Sequence, residues 1–293
     1  MDPQNLKDLQ PTQEFFIGID SDGCVFDTME IKHKECFCPA FINHFGLQAA
    51  SKYARESWEF VNLYSTTRGV NRFPAVTRAL DLLAERAEVK ARTVKIPAMQ
   101  GLRAWIERET KLGNPILEVE VEKTRDADLK IVLEWSREVN ATIEKMVHDI
   151  PPFPFVRETF AKMVDKADAM VVSQTPTEAL EREWREHSID QYVRIIAGQE
   201  FGTKTEHIKF AASGKYPTDK ILMVGDALGD YKAATGNDAL FYPINPGHEE
   251  ASWQRFFAEA LDRFFAGNYA GDYEQHLVTE FNQYLPEKAP WQQ

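Results

Sequence analysis

No uncharged apolar run in this chain approaches the roughly 18 residues that cross a bilayer, and Met1 to Gln10 has neither the basic start nor the apolar stretch of a secretory leader. Those absences lead to the expectation of a cytoplasmic protein. Cysteine is scarce: Cys24, Cys36 and Cys38 are an odd, clustered set that excludes a disulfide framework and suits a reducing compartment. Positive charge is short too, with 34 Lys and Arg against 46 Asp and Glu and a net charge of −12. Such a surface repels nucleic acid and anionic lipid, so any phosphate site has to be arranged locally. The dinucleotide pattern Gly-x-Gly-x-x-Gly is missing, and Gly202-Thr203-Lys204-Thr205 lacks the adjacent Gly-Lys of a nucleotide P-loop. There is no internal repeat and no low-complexity tract.

What is present is ordinary globular material: 293 residues, 43 % hydrophobic and 27 % charged, enough for one large domain or two modest ones. Short apolar runs at 15–19, 169–172, 193–196, 221–224 and 239–242, the first with no charge inside it, read as buried strands. Helical patterns at 178–187, 205–212 and 228–234 separate the later ones, which predicts a parallel sheet covered on both faces. Between the first strand and the rest lies a long helical stretch, with segments at 75–89, 102–112 and 127–147, closed off by Pro151, Pro152 and Pro154. Residues 1–28 and 150–293 are therefore expected to form an α/β core, with a helical extension from about 248, and 29–149 a helical domain. The tail aromatics Trp253, Phe256, Phe257, Phe264, Phe265, Tyr269 and Tyr273 are read as core packing, with a dimer contact as the rival; the chain is expected to be a monomer or homodimer.

Ligands of an open parallel sheet bind beyond the carboxyl ends of its strands, which directs attention to Asp20, Ser173 and Asp226. The first strand runs into Asp20-Ser21-Asp22-Gly23, two carboxylates two residues apart with a glycine to turn the chain. The fourth runs into Gly225-Asp226-Ala227-Leu228-Gly229-Asp230. Neighbouring strands ending this way would gather several acids at one point, and hard oxygen donors suit Mg²⁺. A calcium loop is excluded, because its sixth and twelfth positions would be Val25 and Ile31. His33, Cys36, Cys38 and His44 do not make a zinc site, since Cys-x-Cys on a helix turns its sulfurs about 200° apart.

In order along the chain, Asp20-x-Asp22-Gly23 after a strand, Ser173 at the end of another, a lysine, and Gly225-Asp226-x-x-x-Asp230 after a third reproduce four motifs. The set resembles the haloacid dehalogenase (HAD) superfamily, mostly phosphatases and phosphotransferases, over roughly residues 15–247. Cys24 stands where the family commonly has Thr. The resemblance implies a HAD-like Rossmannoid sheet, with the helical stretch as a cap inserted after the first motif. It implies that Asp20 attacks phosphorus to give an aspartyl-phosphate and that Asp22 serves as acid and base. Mg²⁺ would be held by Asp20, the Asp22 carbonyl, Asp226 and Asp230, and Ser173 would bind a phosphoryl oxygen. Family dehalogenases lack the second acid, so Asp22 favours phosphoryl transfer. Lys204, which runs from a strand end into a helix start, is preferred for the lysine over Lys209, about 7.5 Å further along that helix. Arg68 and Arg72 in the segment 64–72 and Gln174 are candidates for binding substrate, with 111–115 a weaker loop. The expectation is a Mg²⁺-dependent phosphatase of a small phosphorylated metabolite, sugar phosphates leading. A phosphomutase or phosphonoacetaldehyde-hydrolase-like enzyme, and then a non-catalytic ligand-binding module, are the alternatives.

Overall fold

The computed structural model describes residues 3–292. The chain divides into two compact units, one formed by the residues up to Met29 together with Asp149–Leu285, the other by Glu30–His148 together with the chain from Pro286.

The first unit is α/β. Strands β1 (Phe15–Ile19), β2 (Ala167–Val172), β3 (Ile195–Ala197), β4 (Ile221–Gly225) and β5 (Leu240–Pro243) form one parallel sheet in the order β3-β2-β1-β4-β5. The uncharged β1 suits the centre of the sheet, where it is buried throughout between β2 and β4. Phe15, Ile17 and Ile19 face a cluster with Trp184 and Trp253, whereas Phe16 faces Met170, Val172 and Met223 on the other side. The tail aromatics Trp253, Phe256, Phe264 and Tyr269 are buried in the first of these clusters. One of them also closes a sheet edge: Tyr269 donates to the Phe241 carbonyl of β5 (2.7 Å) while the Phe241 amide donates to Glu274 (2.8 Å). An edge strand satisfied this way offers no template for a foreign strand.

β2 begins at Ala167 and so contains Asp168, a buried carboxylate inside a strand. It accepts from the Thr12 amide (2.7 Å), the Gln13 amide (3.0 Å) and the Tyr216 hydroxyl (2.7 Å), and pairs with Arg194 (2.8 Å). Burial opposes its charge, yet the Thr12 and Tyr216 hydroxyls, the Thr12 amide and Arg194 together hold the Asp168 carboxyl well below the usual carboxylate range. A carboxyl depressed in the folded state stabilises above its ordinary value and loses that contribution as pH falls toward its folded one. Asp168→Asn is therefore expected to lower the Tm at neutral pH, with the gap to wild type shrinking below about pH 4. Parallel Tm–pH curves for the two proteins would sink this assignment.

The second unit is helical, packed around Trp58, Trp105, Trp135, Phe41 and Phe73. Its helices include Arg72–Glu85, Ala87–Ala91, Gln100–Arg108 and Ala127–Met146. The single helix read at 75–89 is thus broken at Arg86, whose backbone is extended (ψ 129°). Its guanidinium lies 4.6 Å from the Tyr53 ring and 4.2 Å from the Trp291 ring and pairs with Glu56 at 2.6 Å. Trp291 reaches it because the segment from Pro286 packs in the helical unit, not in the α/β unit where the sequence boundary put it. There Ala289 is fully buried, Trp291 meets Phe60 edge-on at 5.7 Å, and Gln292 donates to Glu85 at 2.9 Å. Cys36 and Cys38 are buried thiols, His33 stacks on Phe37, and His44 bonds Glu138.

Candidate active site

Strand order reverses at β1: the chain leaves it for β2 on one side and later returns to β4 on the other. The crevice beyond the carboxyl ends of β1 and β4 is the place where such a sheet binds ligands. Asp20 leaves β1 there, its amide donating to Val224 of β4 (3.0 Å), which sets Asp20 beside Asp226. Carboxylate oxygens of Asp20, Asp226 and Asp230 all lie within 4.8 Å of one another, and all three residues are buried. The glycine before Asp226 is required for this, because a Cβ on Gly225 would come within 2.4 Å of the Asp230 side chain. Asp230 in turn accepts from the Ala227 amide (3.1 Å), which fixes it at the first turn of the helix Leu228–Thr235.

Lys204 stands among these acids, its Nζ 2.8 Å from Asp20 Oδ2 and 2.7 Å from Asp230 Oδ1. It opens the helix Lys204–Ala211, whose capping box pairs Thr203 with Glu206 and holds the start of the helix in place. Lys209 is exposed further along the same helix. Burial raises the carboxyls of Asp20 and Asp230 above the ordinary range, the Lys204 charge opposing the shift and neighbouring acids reinforcing it. For Lys204 burial works against the charge, but Asp20 and Asp230 outweigh it and raise its pKa. One ammonium against three buried carboxylates leaves a negative excess in a buried site, and the all-oxygen donor set fits a hard divalent cation such as Mg²⁺.

Ser21, between the two acids of the first motif, is fully buried and is held by Trp184 Nε1 at 3.0 Å. The Asp22 carboxylate accepts from the hydroxyls of Thr28 and Thr175, the second at 2.7 Å. Sequence reading passed over both threonines, and the spacing of Thr175 two residues after Ser173 was the available signal. Ser173 is buried, its amide on the Ala197 carbonyl (3.0 Å) and its Oγ accepting from the Thr175 amide (3.2 Å). Gln174 donates Nε2 to the carbonyls of Gly202 (2.9 Å) and Ser173 (3.2 Å). His207 is fully buried and pushed down to about 4, by burial first and the Lys204 charge second, so it is neutral near pH 7.

Arg68 and Arg72 belong to the helical unit and are engaged inside it. Arg68 is buried and donates to the Leu63 carbonyl at 2.9 Å. Arg72 donates to Ser136 Oγ (3.0 Å) and Asn140 (2.7 Å) and lies 4.9 Å from the Phe37 ring. Among the described residues no ion-pair partner holds its charge, and burial lowers its pKa to about 10.

No protein-family model matches the chain, and no curated protein does. Solved structures do. A protein assigned as a phosphoglycolate phosphatase from Lactobacillus delbrueckii subsp. bulgaricus is 16 % identical, with 89 % of this chain and 100 % of that chain covered at a TM-score of 0.50. A HAD-superfamily hydrolase of subfamily IA from Geobacter sulfurreducens is 15 % identical, covering 80 % and 90 %, at 0.42. A haloacid dehalogenase-like hydrolase from Streptococcus pneumoniae is 14 % identical, covering 92 % and 100 %, also at 0.42.

Proposed function

We infer that this parallel sheet, like that of the Lactobacillus delbrueckii protein, is a HAD-like α/β fold, here carrying a helical domain. From the site itself we propose that the protein is a Mg²⁺-dependent phosphohydrolase of a small phosphorylated metabolite, sugar phosphates being the leading class. The observation that carries the reading is the buried convergence of Asp20, Asp226, Asp230 and Lys204 at the ends of β1 and β4. No other cluster of metal-ligating side chains occurs among the described residues.

In this reading Asp20 is the nucleophile. Lys204 takes its Oδ2 and favours the ionised form, which burial alone would suppress. Attack on phosphorus forms the Asp20–phosphorus bond and expels the alkoxide, splitting one hard displacement into two. Asp22, two residues on, gives the proton to that alkoxide and takes one from the water that later breaks the aspartyl-phosphate. The hydroxyls of Thr28 and Thr175 fix the orientation of its carboxyl group. Ser173 offers its hydroxyl to a phosphoryl oxygen. Asp20, the Asp22 carbonyl and Asp226 would hold Mg²⁺, with Asp230 acting directly or through water because Lys204 and the Ala227 amide already occupy both its oxygens. The cation supplies charge neutralisation and a clamp on the phosphate.

The test is phosphate release from a broad panel of phosphorylated metabolites, with Mg²⁺ and with EDTA. Chelation is expected to cut release by about a hundredfold or more, restored on adding Mg²⁺. Full activity in EDTA would remove the metal from the mechanism. Absence of release from every compound would overturn the hydrolase reading and favour phosphoryl isomerisation or phosphonate cleavage.

A further inference from the structure

Ser173 and Lys204 follow different strands, β2 and β3, and a phosphoryl group held by both requires their loops to keep a fixed separation. Four contacts tie those loops. Gln174 Nε2 bridges the carbonyls of Ser173 and Gly202, one on each loop. The Gln199 amide donates to Thr175 (3.1 Å). Glu200 Oε2 accepts from both the amide (3.0 Å) and the hydroxyl (2.6 Å) of Thr177, and that hydroxyl also accepts from the Gly198 amide (3.2 Å). Although burial works against its charge, the two Thr177 bonds keep the Glu200 carboxyl below its ordinary range. The approach is close enough to demand glycine, since a Cβ on Gly198 would sit 2.4 Å from the Thr175 carbonyl.

Resting on the phosphohydrolase reading above, we infer that Gln174 and Glu200 are positioning residues that set Lys204 at its distance from Ser173. Gln174 lies at the surface beside a phosphate-binding serine, which is why its sequence position suggests a substrate ligand. Both Nε2 hydrogens have backbone acceptors, however, one on the loop of Ser173 and one on the loop that leads to Lys204. Gly202 is two residues before Lys204, and its backbone (φ 110°) turns the chain into the helix that Lys204 opens. Gln174 therefore acts on the reaction through the Lys204 ammonium, which sits between Asp20 and Asp230. Glu200 clamps the other end of the same pair of loops.

The experiment compares wild type with Gln174→Met, which keeps the length and loses the donor, with Glu200→Ala, and with Glu200→Gln, which keeps an acceptor for Thr177. With p-nitrophenyl phosphate as probe, Gln174→Met and Glu200→Ala are expected to lose about tenfold to a hundredfold in kcat, the loss a displaced catalytic group brings. KM is expected to stay within about twofold, because an interaction made only in the transition state is removed, and Glu200→Gln is expected to recover most of the rate. A raised KM with unchanged kcat in Gln174→Met would overturn the inference, because it would make Gln174 a substrate ligand. Unchanged kcat in both Gln174→Met and Glu200→Ala would overturn it as well. Hydrogen exchange at the amides of 202–205 gives the answer without turnover. Faster exchange in both variants is expected, and wild-type protection in both would sink the brace even in a protein that hydrolyses nothing. Failure of the phosphohydrolase reading shows separately, as wild-type turnover that survives Asp20→Asn.

Discussion

Replacing Asp20 by asparagine is expected to lower kcat for phosphate release by at least about a thousandfold while leaving the fold intact, because the amide keeps the shape of the side chain and removes the nucleophile. The same substitution should raise stability. Burial lifts the Asp20 carboxyl well above its ordinary range, and the carboxylates of Asp230 and Asp226 add to the shift. A group whose folded pKa is raised costs stability as pH climbs past its unfolded value, and asparagine carries no such cost. In EDTA, the Tm of Asp20→Asn is therefore expected to exceed that of wild type at neutral pH and to converge with it as pH falls below about 4. A variant that turned over at the wild-type rate would displace Asp20 from the mechanism; a variant less stable than wild type at neutral pH would mean that the Lys204 pairing outweighs the cost of burial.

Lys204→Met has the second large effect, and it is opposite in sign for stability. The ammonium is 2.8 Å from Asp20 and 2.7 Å from Asp230, and without it three buried carboxylates face one another. Removing one member of a buried pair costs about 3–5 kcal/mol where the partner stays charged. The variant is expected to unfold at clearly lower urea in EDTA, to regain part of the loss with Mg²⁺, and to show kcat reduced about a hundredfold or more. Lys209→Met, on the exposed side of the same helix, is the control and should behave as wild type. If the two results were exchanged, the lysine of the site would be Lys209.

The acids and the lysine that converge at the candidate site are legible in the sequence because they sit where local signals are strongest. Asp20 and Asp226 end uncharged runs, and a parallel strand buried on both faces has no other reason to be so free of charge. Lys204 could be chosen over Lys209 because it falls where a strand end meets a helix start. What escaped notice depends on partners far along the chain. Asp168 argues against a strand when read locally, so β2 was expected to begin after it. The structure includes it because Thr12, Arg194 and Tyr216 satisfy it from other segments. The break at Arg86 carries no glycine or proline to announce it; its reason is a guanidinium held between Tyr53 and Trp291, a residue 205 positions later. Arg68, Arg72 and Gln174 show partners the sequence does not announce. Polar residues near a glycine suggest ligand contacts, and in the structure they also donate to Leu63, to Ser136 and Asn140, and to the carbonyls of Ser173 and Gly202.

The segment from Pro286 has a consequence for the order in which the molecule is completed on the ribosome. Chains emerge N-terminus first and domains generally fold as units while synthesis continues. The helical unit is encoded mostly by residues 30–148, yet its face around Tyr53, Phe60 and Arg86 is covered by Ala289 and Trp291. That face stays bare while all of Asp149–Leu285 is being made, so a unit synthesised mostly before that stretch is covered only after it. A gene fragment that stops at residue 148 would yield a helical bundle with an aromatic and cationic surface left uncovered, and grafting this unit into another protein would require carrying the last residues of the chain along with it.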